Sequence, residues 1–111
     1  MKITSKNIES FNLFELNGRL NQEDLVELED QIIEKMKYGS KYFLFDISKL
    51  SYLNSSGLRI LIKTQKQLKL FDGYLVLVDP MPNVKDIMKL SELDDFLNLR
   101  YGLKEAIKEF I

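Results

Sequence analysis

Two runs of almost unbroken apolar character, YFLFDI at residues 42–47 and GYLVLV at residues 73–78, constrain this fold more than any other feature of the chain. A strand with one face in water alternates apolar and polar side chains. A strand that is apolar at nearly every position has to be covered on both faces, which places it inside a parallel sheet layered with helices. The intervening segments fit that demand. Residues 22–38 carry Leu25, Leu28, Ile32 and Met36 at helical spacing, with Glu23, Glu27, Asp30 and Glu34 as an acidic stripe on another face. Gly39 supplies a stop. Residues 56–71 carry Leu58, Leu61, Ile62 and Leu68 as an apolar stripe, and Arg59, Lys63 and Lys66 as a basic one.

The remaining elements follow from local signals. Residues 2–8 and 11–17 read as two short strands joined near Asn7–Ser10. Asn21 is placed to cap the first helix, with Asp24 three residues on as a weaker form of the capping box. Pro80 and Pro82 mark a turn, followed by a short helix at 84–90, an edge strand at 96–99 and a last helix from Leu103 to the end. Tyr52 and Leu53 are read as packing residues. The order β-β-α-β-α-β-α-β-α predicts a single α/β domain: a mixed, mostly parallel sheet of about four or five strands packed with about four helices through right-handed crossovers.

Composition narrows the chemistry. The chain has no cysteine and no histidine, so disulfides, thiolate nucleophiles, Ser-His-Asp triads and the commonest metal ligand are all excluded. No G-x-G-x-x-G or G-x-x-x-x-G-K-[ST] loop is present, and Asp79, a lone carboxylate after a buried strand, reads as loop chemistry. The expectation is a protein without cofactor or metal that is not an enzyme. A formal net charge of −1 argues against direct nucleic-acid binding. No apolar run approaches the roughly 20 residues that span a bilayer, and MKITSKNIES has no apolar leader core, so a cytoplasmic protein with no membrane insertion is expected.

One stretch remains unabsorbed: SYLNSSGLRI, residues 51–60. Asn54, Ser55, Ser56 and Gly57 stand where a helix begins, the point that collects unpaired backbone N–H groups and the positive end of the helix dipole. Two readings are open. The serines cap the helix, and Gly57 only allows close backbone approach. Alternatively a serine here accepts a phosphate, about −1.5 to −2 charges at pH 7, which the helix end would offset while the outer surface changes sign. The basic stripe of Arg59 and Lys63 begins one turn from Ser56.

The longer segment FDISKLSYLNSSGLRILI resembles the signature of STAS domains, and most closely that of the bacterial anti-sigma factor antagonists. Asp46, Ser48, Leu50, Tyr52, Leu53, Ser55, Ser56, Gly57 and Leu58 match that pattern. FELNGRLN resembles the family's second strand and its turn into the first helix, and LSELDDFLNL with Glu105 and Ala106 resembles its C-terminal strand and helix. The resemblance implies the STAS fold and a partner switch. The unmodified antagonist binds an anti-sigma factor that is also a serine/threonine kinase and so releases a sigma factor. The kinase phosphorylates the hydroxyl residue before the glycine, here Ser56, and a phosphoserine phosphatase resets it. The partner surface implied here comprises Asn21, Asn54, Ser55, Ser56, Gly57, Leu58, Arg59 and Lys63, on a protein expected to be a monomer when free. The chain departs from the pattern at Asn54 and Asn21, where many members carry Asp. A non-phosphorylated STAS adaptor in another signalling pathway or a transporter accessory complex has the same sequence features.

Overall fold

The computed structural model describes residues 3–110. Along the chain run β1 (Ile3–Ile8), β2 (Phe11–Arg19), α1 (Gln22–Lys37), β3 (Tyr42–Tyr52), α2 (Ser55–Lys69), β4 (Tyr74–Val78), α3 (Pro82–Leu90), β5 (Leu99–Arg100) and α4 (Leu103–Phe110). The order is the one read from the sequence. Lys2, assigned to the first strand, and Ile111, assigned to the last helix, lie outside the described residues.

The sheet has the order β1-β2-β3-β4-β5, with β1 antiparallel to β2 and every other pair parallel. Each crossover steps one strand in the same direction, so a constant right-handed connection brings α1, α2 and α3 to one face. Their buried residues, Leu25, Leu28 and Ile32, Leu61 and Leu68, Val84 and Met88, meet Phe14, Phe43, Phe45, Leu75 and Leu77 in the main core. The other face carries Phe11, Leu13, Leu44, Val76 and Val78, closed by Ala106 with Leu103, Ile107 and Phe110 of α4. Phe43 and Phe45 therefore face one layer and Leu44 the other, which accounts for the unbroken apolar runs.

Three details differ from the sequence reading. First, β3 extends through Tyr52, whereas alternation is lost after Ile47. The cause is two irregularities in its pairing with β2, between Glu15 and Asn17 and between Gly18 and Arg19, each placing an extra residue on β3. They reset the strand's phase, so that Ile47, Leu50 and Leu53 point into the same core at intervals of three. Second, the buried face of α2 is centred on Gly57, Leu61, Thr64, Gln65 and Leu68, and Leu58 and Ile62 are only half-buried. Gln65 is fully buried because it bridges backbones: Oε1 accepts from Leu75 N at 2.9 Å and Nε2 donates to the Phe96 carbonyl at 2.7 Å. Third, the edge strand is only Leu99–Arg100, because residues 91–98 form successive turns with Glu92 and Asn98 in the left-handed region at φ 57° and 53°.

The last helix is pinned by polar contacts as well as by its apolar face. Tyr74 Oη donates to the Phe110 carbonyl at 2.7 Å, and the two rings lie 5.2 Å apart. Arg100 pairs with Glu109 at 3.0 Å. Asp79 is the joint of this layer, accepting from Gly102 N at 2.8 Å while its own N–H donates to the Arg100 carbonyl.

Two predictions follow from these contacts. Gln65→Leu conserves size but strands a buried N–H and a carbonyl, so it should destabilise the fold by about 2–6 kcal/mol at the usual 1–3 kcal/mol per orphaned group, read as a lower urea midpoint. Burial, and secondarily the neighbouring Tyr42, push the Tyr74 phenol above its ordinary value of 10.0. The folded state thus favours the neutral phenol. That contribution is complete below pH 10.0 and is lost as pH rises through the raised value. Tyr74→Phe should flatten the alkaline fall in stability, measured by denaturant titration at increasing pH. An alkaline limb identical to wild type would refute this.

Candidate functional site

In a parallel sheet every strand delivers its carboxyl end, and every following helix its N-terminus, to the same pole. Here that pole gathers the end of β2 at Arg19, the end of β3 at Tyr52, and the starts of α1 and α2 at Gln22 and Ser55. The approach to α2 is built by backbone bonding. Asp46 Oδ1 accepts from Ser48 N at 3.0 Å, an Asx turn that fixes the first irregularity of β3. This is the structural use of the D-x-S element. Leu53 is buried, whereas Tyr52 lies 39% exposed beneath the Arg19 guanidinium, 4.1 Å from its ring centroid. Tyr52 therefore belongs to the surface of the pole and only Leu53 to the core.

Neither serine caps α2. The cap is Asn54, whose Oδ1 accepts from Gly57 N at 2.8 Å. Ser55 and Ser56 occupy the first two helical positions with their hydroxyls free of that duty, Ser55 exposed and Ser56 half-buried. Gly57 is turned inward. A methyl group there would lie 2.9 Å from Leu53 Cδ1 and 3.6 Å from Leu25 Cδ2, so glycine lets the start of α2 close onto α1 and β3. Asn21 caps α1 in the same way, with both halves of the capping box formed: Oδ1 accepts from Asp24 N at 2.8 Å, and the Asp24 carboxylate accepts from Asn21 N at 2.9 Å. The two helix starts differ in charge. The first turn of α1 carries Glu23 and Asp24, whereas that of α2 carries no acid, so the positive end of its dipole is uncompensated.

A shallow hollow of about 270 Å³ between α1 and α2 is lined by Gln22, Glu29, Ser56, Arg59, Ile60 and Lys63. It brings Ser56, Arg59 and Lys63 together, as the basic stripe suggests. It also contains what the sequence did not suggest: Lys63 Nζ is held 3.2 Å from Glu29 of α1, in an exposed and therefore weak pair. Of the other predicted site residues, Ser55 is exposed beside the hollow, Asn54 and Asn21 spend their side chains as caps, and Gly57 and Leu58 pack toward the core. Arg19 and Tyr52 were not anticipated as surface partners, because their proximity arises only from the register of β2 on β3. Among the described residues no cluster of three or more carboxylates could hold a metal ion. Asp46 and Asp79 are each engaged by a backbone amide.

The architecture is that of a small α/β domain with a serine-bearing helix start presented on one pole. The chain belongs to the STAS domain family, whose pattern it matches over residues 2–106. It is 30% identical over 91 residues to BtrV, a candidate anti-sigma factor antagonist of Bordetella bronchiseptica, covering 82% of this chain and 78% of BtrV. The fold superposes on unphosphorylated SpoIIAA, an anti-sigma factor antagonist, with a TM-score of 0.86 at 19% identity, covering 96% of this chain and 94% of that one. Superposition on phosphorylated SpoIIAA of Bacillus gives a TM-score of 0.82 at 18% identity, covering 98% and 99%. Among the described residues, no helix is long and apolar enough to cross a membrane.

The cap assignment is directly testable. Asn54→Ala should cost about 1 kcal/mol by leaving Gly57 N–H unpaired, whereas Asn54→Asp should raise stability by about 0.3–1 kcal/mol, since Asp caps equally well and adds charge the dipole favours. Ser55→Ala and Ser56→Ala should each leave the urea midpoint within about 0.5 kcal/mol of wild type. A loss of cap-like size from either serine variant would return the capping role to the serines.

Proposed function

We propose that this chain is an anti-sigma factor antagonist whose partner binding is switched by phosphorylation of Ser56. The single observation that carries the reading is the division of labour at the start of α2. Asn54 takes the cap, which leaves the Ser56 hydroxyl chemically free at a helix N-terminus that has no acid of its own. Kinship with BtrV supports the class of protein. The partner is an anti-sigma factor acting as a serine/threonine kinase, and a phosphoserine phosphatase reverses the modification. Ser55, Tyr52 and Arg19 extend the contact surface around Ser56.

The hollow beside Ser56 gives the switch a physical form. A phosphate there would add about −1.5 to −2 charges beside Arg59 and Lys63. It would compete with Glu29 for Lys63, exchanging a weak exposed pair for a charge-assisted one. The helix itself would remain intact, because its cap does not involve the modified hydroxyl. Release of the partner then comes from the changed sign and bulk of the surface, not from unfolding.

The test pairs site mapping with binding. Protein isolated from its native cells should carry one phosphate on Ser56 under some growth conditions, detected by intact-mass spectrometry. Ser56→Asp should weaken binding to the cognate anti-sigma factor by at least ~100-fold, the scale expected for an unpaired charge at an interface centre, while Ser56→Ala should bind as wild type and resist phosphorylation. An unmodified serine under every condition, together with an Asp variant that binds normally, would favour a constitutive STAS adaptor instead.

A further inference from the structure

The pole opposite Ser56 carries a second surface that the switch does not use. There α1 and α2 end side by side in matching turns. Ser40 N donates to the Lys35 carbonyl at 3.1 Å with Gly39 at φ 90°, and Gly73 N donates to the Leu68 carbonyl at 2.8 Å with Asp72 at φ 61°. These six-to-one closures rigidify both helix ends. Gly73 has no room for any side chain, since a Cβ would fall 2.2 Å from the Lys41 carbonyl. The frame is fixed, yet it holds apolar side chains out in water: Leu70 is 81% exposed, Phe71 64% and Ile33 40%. Hollows of about 440 and 460 Å³ adjoin Phe71 and share Met36, Lys37 and Phe71 in their walls. Their only charged lining residues are Lys37 and Lys41, and the nearby carboxylates Glu34 and Asp72 line neither. Among the described residues, Lys37 forms no ion pair.

From this geometry we infer that the pole is a docking groove for an amphipathic helix of a partner protein, with an apolar seam flanked by carboxylates. Rigid, preformed apolar walls suit side chains spaced one helical turn apart, and ordering costs on this side of the interface are already met by the capping turns. The two lysines select an acidic flank. A protein helix fits better than an anionic bilayer: a helix can set its carboxylates at the hollows, whose only charged walls are Lys37 and Lys41, whereas a flat headgroup layer would also meet the acidic stripe of α1, Glu23, Glu27, Asp30 and Glu34, which runs up to this pole. The surface is independent of Ser56, so the protein can hold two partners at once, one switchable and one not.

The test uses the full chain, isotope-labelled for NMR, titrated with a designed helical peptide of Leu seam and Glu flanks, and with the same peptide carrying Lys flanks. Saturable shifts confined to residues around Ile33, Met36, Leu70 and Phe71 are expected, with the Glu peptide at least ~10-fold tighter. Phe71→Ser should weaken binding by roughly 30-fold and Lys37→Glu by about 10-fold, both at exposed positions that leave the fold intact. Ser56→Asp should change nothing. Equal affinity for both peptides, shifts mapping elsewhere, preferential binding to phosphatidylserine vesicles, or concentration-dependent self-association through Phe71 would each overturn the proposal.

Discussion

Everything in this molecule depends on covering β3 from both sides. Phe43, Phe45 and Ile47 look into one layer and Leu44 into the other, and none of these side chains is exposed to solvent. Burying them at the usual ~25 cal/mol per Å² is the main favourable term, and it is available only if helices close both faces. One face is closed by three helices delivered by successive right-handed crossovers. The other is left to α4, a single helix of eight residues. The imbalance explains why α4 is secured by more than apolar contact: the Tyr74 hydroxyl, the Arg100–Glu109 pair and the Asp79 joint all converge on it.

The same strand also positions the site. If β3 kept its phase, Leu50 and Leu53 would not both return to the main core. Two extra residues on β3 restore them, and Asp46 holds the first displacement by accepting from the Ser48 amide. Leu53 then anchors the turn, Asn54 caps, and Gly57 lets the helix start approach Leu53 and Leu25 closely. The serine hydroxyls are left uncommitted, Ser55 exposed and Ser56 half-buried, because the residues around them are each committed to something else. Fixing the neighbours while leaving one hydroxyl uncommitted is what a modifiable site requires, since a phosphate added there disturbs no bond the fold uses.

Much of this was legible in the residues, and what was missed has physical causes. The buried strands, α1 with Asn21 and Asp24 as its capping box, and the element order all follow from periodicity and local hydrogen-bond chemistry, which act over a few residues. The continuation of β3 past Ile47 is not legible in the residues because irregular pairing destroys the period-two pattern on which strand recognition rests. Gln65 lies outside the apolar stripe read for α2, and its burial is licensed only by two backbone groups, from β4 and the Phe96 turn, that local periodicity does not report. The Arg19–Tyr52 stack and the Lys63–Glu29 pair were invisible for the same reason. For the serines the residue types pointed to the helix start but not to which of three adjacent polar side chains would cap it.

The choice of Asn at both caps bears on how such a surface is tuned. At α1, Asp24 and Glu23 already complement the helix dipole, so a neutral Asn21 loses little, and its side chain completes the capping box. At α2 there is no acid in the first turn, and a carboxylate at position 54 would be the obvious way to supply one. It would also place a negative charge two residues from Ser56, within a Debye length of about 8 Å at physiological ionic strength. A phosphate on that serine would then meet a like charge instead of an unspent dipole. The neutral cap keeps the geometry that an aspartate would give while leaving the positive potential of the helix end, Arg59 and Lys63 available to an anion. The two asparagines, alike as caps, thus differ in their surroundings: one stands beside acids that already complement its helix dipole, the other at a helix start with none.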